Sequence, residues 1–88
     1  MGKNIVTRRL PVSTTVVNLV GEDPNRKGIL VYNNGTETVY ILGAKGQTST
    51  DGIPLAAGAS YEDDTSTGEL FIVAASGTQD VRVMTIGD

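Results

Sequence analysis

At 88 residues the chain has room for one domain, and a domain of this size buries only about two-thirds of its unfolded surface, so its stability margin is thin. It has no cysteine and no histidine, which excludes a disulfide framework, thiolate chemistry and the commonest general base and metal ligand. The net charge of −3 argues against a nucleic-acid partner, and no apolar run approaches the roughly 20 residues of a membrane helix.

The charge is unevenly spread. Residues 1–27 hold five cations against two carboxylates, and residues 28–88 hold two cations against eight carboxylates. A basic start ahead of an acidic body suggests two different surfaces.

Met1 to Pro11 contains Ile5, Val6, Arg8, Arg9 and Leu10. Pro11 cannot donate to a sheet ladder, so this segment reads as an arm or an edge strand, with residues 1–12 set apart from a sandwich domain over 13–88. Lys3 is not followed by an apolar segment, which predicts synthesis in the cytoplasm without a secretory signal. Ser13 to Val20 is β-branched almost throughout and predicts a strand. Gly21 to Asn25 is a dense turn signal.

The stretch from Gly28 to Gly43 is the strongest local pattern. Two β-rich runs flank Asn34-Gly35, a pair that suits the left-handed positions of a two-residue hairpin turn. On the first run Ile29, Val31 and Asn33 share one face, and Leu30 and Tyr32 the other. On the second, Val39 and Ile41 oppose Tyr40 and Leu42. Neither run has a clean polar face, so both faces are expected to meet something.

Gly43 to Gly52 reads as a loop, and Ile53-Pro54-Leu55 as a brief apolar contact. Ala56 to Ser60 is a turn, followed by Tyr61 and the acidic Glu62-Asp63-Asp64. Glu69 to Ala75 is a short apolar run that predicts a strand buried on both sides. Ser76 to Gln79 is a turn, and Asp80 to Ile86 alternates again, giving a second expected hairpin. No window shows helical period. Six or seven short strands with turn signals every eight to twelve residues predict an all-β fold, a small antiparallel β-sandwich of jelly-roll type, with an immunoglobulin-like sandwich as the alternative.

No motif carries chemistry. Consecutive Glu62, Asp63 and Asp64 alternate in direction on a strand, so they do not converge on Ca²⁺. Gly43-Ala44-Lys45-Gly46 has the spacing of a phosphate-clamping loop but lacks the helices that fold requires. Serines and threonines have no histidine to activate them, and no nucleophile elbow occurs. Asn34-Gly35-Thr36 has the form of a glycosylation site, but its turn role explains it. The expectation is a protein that is not an enzyme, with no cofactor, no metal and no small-molecule substrate.

Residues 25–35 (NRKGILVYNNG), 38–43 (TVYILG), 51–61 (DGIPLAAGASY) and 68–83 (GELFIVAASGTQDVRV) resemble a module common in virion proteins of tailed bacteriophages. The resemblance covers about residues 14–86. Small proteins of this kind are similar to capsid decoration (cement) proteins and to head-fibre bases. The resemblance implies a homo-oligomeric jelly-roll sandwich bound to the outer surface of a capsid made in a bacterial host. The major capsid protein is then the partner, and self-association as a trimer is expected; no nucleic acid or membrane is implied. The basic start has no match in the module. It is expected to be the capsid anchor, through Lys3, Ile5, Arg8 and Arg9. Leu30, Tyr32, Tyr40 and Leu42 are the expected subunit interface. The rival readings are a receptor- or carbohydrate-binding module of a fibre, and a tail or baseplate structural protein.

Overall fold

The computed structural model describes residues 4–64 and 67–87. Eight strands form in chain order: β1 (Asn4–Val12), β2 (Val17–Val20), β3 (Arg26–Asn33), β4 (Val39–Leu42), β5 (Ile53–Leu55), β6 (Ser60–Asp63), β7 (Leu70–Ala74) and β8 (Gln79–Gly87). They make two four-stranded sheets, ordered β1-β8-β3-β6 and β2-β7-β4-β5, with every pairing antiparallel. This is the jelly-roll order, so the expected fold is realised and the immunoglobulin-like alternative is not.

The inward faces fill one core. Val12, Leu19, Val31, Val39, Ile72 and Val81 are fully buried, with Ile29, Ile41, Leu55 and Val83 nearly so. Each such side chain contributes about 1.5–3 kcal/mol when taken out of water. On β3 the alternation is the one read in sequence: Ile29, Val31 and Asn33 face in, while Leu30 and Tyr32 face out. On β2 a bulge between Asn18 and Val20 turns both Leu19 and Val20 into the core, so strict alternation fails there.

Neither expected hairpin forms. β3 lies in the first sheet and β4 in the second, and β7 and β8 are divided in the same way. Gly46, Gly58 and Gly77 are the described residues with positive φ, so Asn34-Gly35 does not adopt the primed turn. The cause is a buried polar latch. The Asn33 side-chain amide donates to the carbonyls of Glu37 (2.8 Å) and Leu55 (2.9 Å), and its oxygen accepts from the Gly35 N–H at 3.0 Å. The Gln79 side-chain oxygen accepts from the N–H groups of Thr36 (2.8 Å) and Glu37 (3.0 Å). These bonds satisfy the crossing backbone without a hairpin ladder. Gly35 is needed for space: a Cβ there would lie 2.2 Å from the Gln79 oxygen. The β7–β8 turn does use a left-handed residue, Gly77 at φ 62°.

Residues 4–12 resolve the question of arm or edge strand in favour of the strand. β1 pairs with β8 along its whole length, with Pro11 on the open edge of the sheet. All four edges are short or interrupted by proline or charge: β1 carries Arg8, Arg9 and Pro11, β2 has four residues, β5 has three including Pro54, and β6 ends in Glu62 and Asp63. Such edges resist uncontrolled strand pairing.

Candidate interaction surface

The two sheets differ in length. β1 and β8 have nine residues each and β3 eight, whereas the second sheet's strands have three to five. The first sheet therefore runs on past its partner, in a molecule 42 Å long and 16 Å thick. On that overhang Ile5 and Val6 point to opposite faces of β1, and both are more than half exposed, at 62% and 56%.

The register arranges the outer face of the first sheet in cross-strand rows. Thr7, Met84, Leu30 and Glu62 form one row, and Arg9, Arg82, Tyr32 and Ser60 the next. Leu30 and Met84 are half-buried, and Tyr32 is 38% exposed. Leu30 and Met84 stand between two shallow hollows of about 530 and 360 Å³. The first is bounded by Thr7, Arg9, Tyr32 and Arg82, the second by Gly28, Glu62 and Ile86. Arg9 and Arg82 stand directly opposite, an arrangement that repels unless a carboxylate intervenes. Asp80 supplies it: Arg82 Nε and Nη2 donate to its two oxygens at 3.1 and 2.8 Å. The Arg82 guanidinium, then the Asn34 amide, hold the Asp80 carboxyl down at about 2, and Asp80 raises Arg82 in turn.

The predicted site residues are dispersed. Lys3 lies outside the described residues. Ile5 and Arg9 share the outer face, but Arg8 sits on the inner side and its guanidinium donates across the sandwich to the Leu19 carbonyl. Leu30 and Tyr32 are on the outer face of the first sheet, whereas Tyr40 and Leu42 are on the outer face of the second. The four therefore form no common patch, because the hairpin that would have aligned them is split between sheets. Leu42 is fully buried by the chain's own residues.

That burial comes from the loop between β4 and β5. Thr48 N–H donates to the Asp51 carboxylate at 3.0 Å, closing a single 3₁₀ turn over Ser49–Asp51. Gly52 then lies against the sheet so closely that a Cβ would be 2.7 Å from Leu42 Cδ2 and 2.8 Å from Tyr40 Cβ. The Gly43–Gly46 segment offers no phosphate cradle, since the N–H groups of Gly43 (3.1 Å) and Ala44 (3.2 Å) already donate to the Gln47 side chain.

The acidic cluster is divided by strand alternation. Glu62 faces out, while Asp63 faces in and accepts from the Tyr61 hydroxyl at 3.4 Å. Burial, then the neighbouring Asp63, raises the Tyr61 pKa. Among the described residues no group of three or more acidic, histidine or cysteine side chains is placed to hold a metal. No described helix is long and apolar enough to cross a membrane.

Gln79 and Arg26 leave no sign of their roles in the sequence. Gln79 looks like a turn residue in sequence, yet it is 5% exposed and holds the β3–β4 crossing. Arg26 is equally buried, and its guanidinium donates to the carbonyls of Gly21 (3.0 Å) and Gly68 (2.8 Å). Asn33 did leave a signal, as a polar residue at the inward parity of an apolar strand.

No family model matches the chain, and no curated protein does. A solved structure is similar in fold, described as "Bacillus endospore appendages form a novel family of disulfide-linked pili". The match has a TM-score of 0.58 at 17% identity and covers 98% of this chain and 86% of that one. At that identity the likeness is one of fold. The disulfide linkage of those pili has no counterpart in these 88 residues, which contain no cysteine.

Proposed function

We propose that the chain is a structural subunit that binds a protein lattice, and that this lattice is the outer surface of a tailed-bacteriophage capsid, which it decorates as a cement protein. The observation that carries this reading is the overhanging end of the first sheet, where Ile5 and Val6 are bare on both faces of one strand. Exposed apolar side chains gathered at one end of a small domain mark a contact site. Arg9 adds a cation for an acidic shell surface, while Arg8 serves the fold through its bond to Leu19. The virion assignment itself is supported by the phage-module resemblance of residues 14–86.

Cryo-microscopy of the parent virion tests the reading. Density for the sandwich on the outer capsid surface, with the Ile5 end against the shell, is the expected result; density only in the tail, or none, overturns it. The paired change Ile5→Asp and Val6→Asp should abolish capsid binding in co-sedimentation while the free protein keeps its fold.

A second reading, a subunit of a surface appendage, is supported by the whole-chain fold likeness to the Bacillus pili. A sugar-binding fibre tip has less support. Tyr32, Tyr61 and the pair Tyr40 and Phe71 lie on three different faces, so the aromatic side chains do not gather in one platform.

A further inference from the structure

We propose that the outer face of the β1-β8-β3-β6 sheet is the docking surface for a second copy of this chain, packed face to face about a twofold axis parallel to the strands. The inference stands apart from the virion reading and concerns the free protein.

The register carries it. Leu30 pairs with Met84 and Tyr32 with Arg82, so β3 and β8 present matched positions on either side of the line between them. A twofold axis along that line lays β8 of one copy over β3 of the other. Met84 then meets Leu30 of the second copy, and Arg82 meets Tyr32. The first contact is apolar on apolar. The second sets a guanidinium, already oriented by Asp80, on an aromatic ring.

The same axis lays the β1 edge over the β6 edge, and here the charges decide. β1 brings Arg9 and β6 brings Glu62, both exposed on the outer face. Arg9 comes to rest over Ser60 of the second copy, one same-face step from Glu62. That step is about 7 Å, within an arginine's reach across sheets packed about 10 Å apart. A twofold perpendicular to the strands would instead stack β1 on β1 and β6 on β6, gathering Arg9 with its own copy along one edge and Glu62 with its own copy along the other. Charge complementarity therefore selects one orientation, and a closed isologous pair follows.

Sedimentation equilibrium of the purified chain tests the pairing. The expected result is a monomer–dimer equilibrium. Leu30→Glu should weaken it by about thirtyfold or more, as for a central contact. Arg9→Glu and Glu62→Arg should each weaken it by about fivefold, and the two changes together should restore it to within about twofold. The decision rests on this charge swap, which alters only exposed side chains and leaves the core in place. A chain monomeric at all concentrations, a trimer or open filament, or a double variant that associates no better than the single ones overturns the proposal.

Discussion

The outer faces of the two sheets begin from similar sequence and end in different states. β3 carries Leu30 and Tyr32 outward, and β4 carries Tyr40 and Leu42. On the second sheet the chain folds its own loop back, seats Gly52 on Tyr40 and Leu42, and removes Leu42 from water. On the first sheet nothing in the described chain does this, and Leu30, Tyr32 and Met84 remain partly exposed. An apolar outward residue in a small sandwich thus has two fates, local cover or an external partner. What separates them is whether a loop of suitable length and composition follows the strand. Residues 43–52, rich in glycine and small polar groups, meet that requirement for β4.

Truncating one leucine on each face should separate the two fates most widely. Leu42→Ala removes a fully buried side chain and leaves a cavity under the loop, at a cost of about 2–4 kcal/mol. Leu30→Ala removes a side chain that still touches water, and should cost under about 1 kcal/mol in dilute protein. Urea titration of both variants at low concentration measures the difference. Equal losses would mean that the two faces are not distinct.

The two sheets are joined where β3 crosses to β4. Gln79→Ala strips that crossing of the acceptor for two backbone N–H groups, those of Thr36 and Glu37. Each of the two lost bonds is worth about 0.5–1.5 kcal/mol. Amide exchange should quicken first at Thr36 and Glu37. If stability falls while exchange at those two amides stays unchanged, the latch is not what ties the sheets together.

The fold class was legible because it depends on local pattern. The β-branched runs, their turns and the shared parity of Ile29 with Val31 and of Val81 with Val83 are all short-range signals, and their spacing pointed to a sandwich. Strand partners were less legible. Asn34-Gly35 is a strong hairpin signal taken alone, but Gln79, distant in sequence, occupies the space and the hydrogen bonds that the hairpin turn would have used. The candidate surface suffered in the same way. Alternation assigned Leu42 correctly to the outward side of its strand, but no local pattern reveals that residue 52 will lie over it. Arg8 and Arg9 look equivalent in sequence, yet strand alternation sends one across the sandwich and the other to the outer face.

The smallest expected effect concerns the charged end of the first sheet's outer face, where Asp80 joins Arg82 and Asn34. Its carboxyl is lowered from 3.8 to about 2, first by the bond from Arg82 and then by that from Asn34. A depressed carboxylate stabilises the folded state above the unfolded pKa, where it is ionised in both states. As pH falls from about 4 towards 2 the unfolded chain takes up the proton first, so this contribution fades across that window and is gone below it. The group is exposed and screened by solvent, so the loss is small. Asp80→Asn should therefore lower stability slightly at pH 6 and flatten its fall between about pH 4 and 2, read as urea midpoints for the two proteins. Carboxyl carbon shifts followed by NMR give the direct measure. A midpoint near 2 for Asp80 supports the ion pair as a fixed part of this face, whereas a midpoint near the ordinary 3.8 would show that Arg82 is released in solution and free to turn towards another partner.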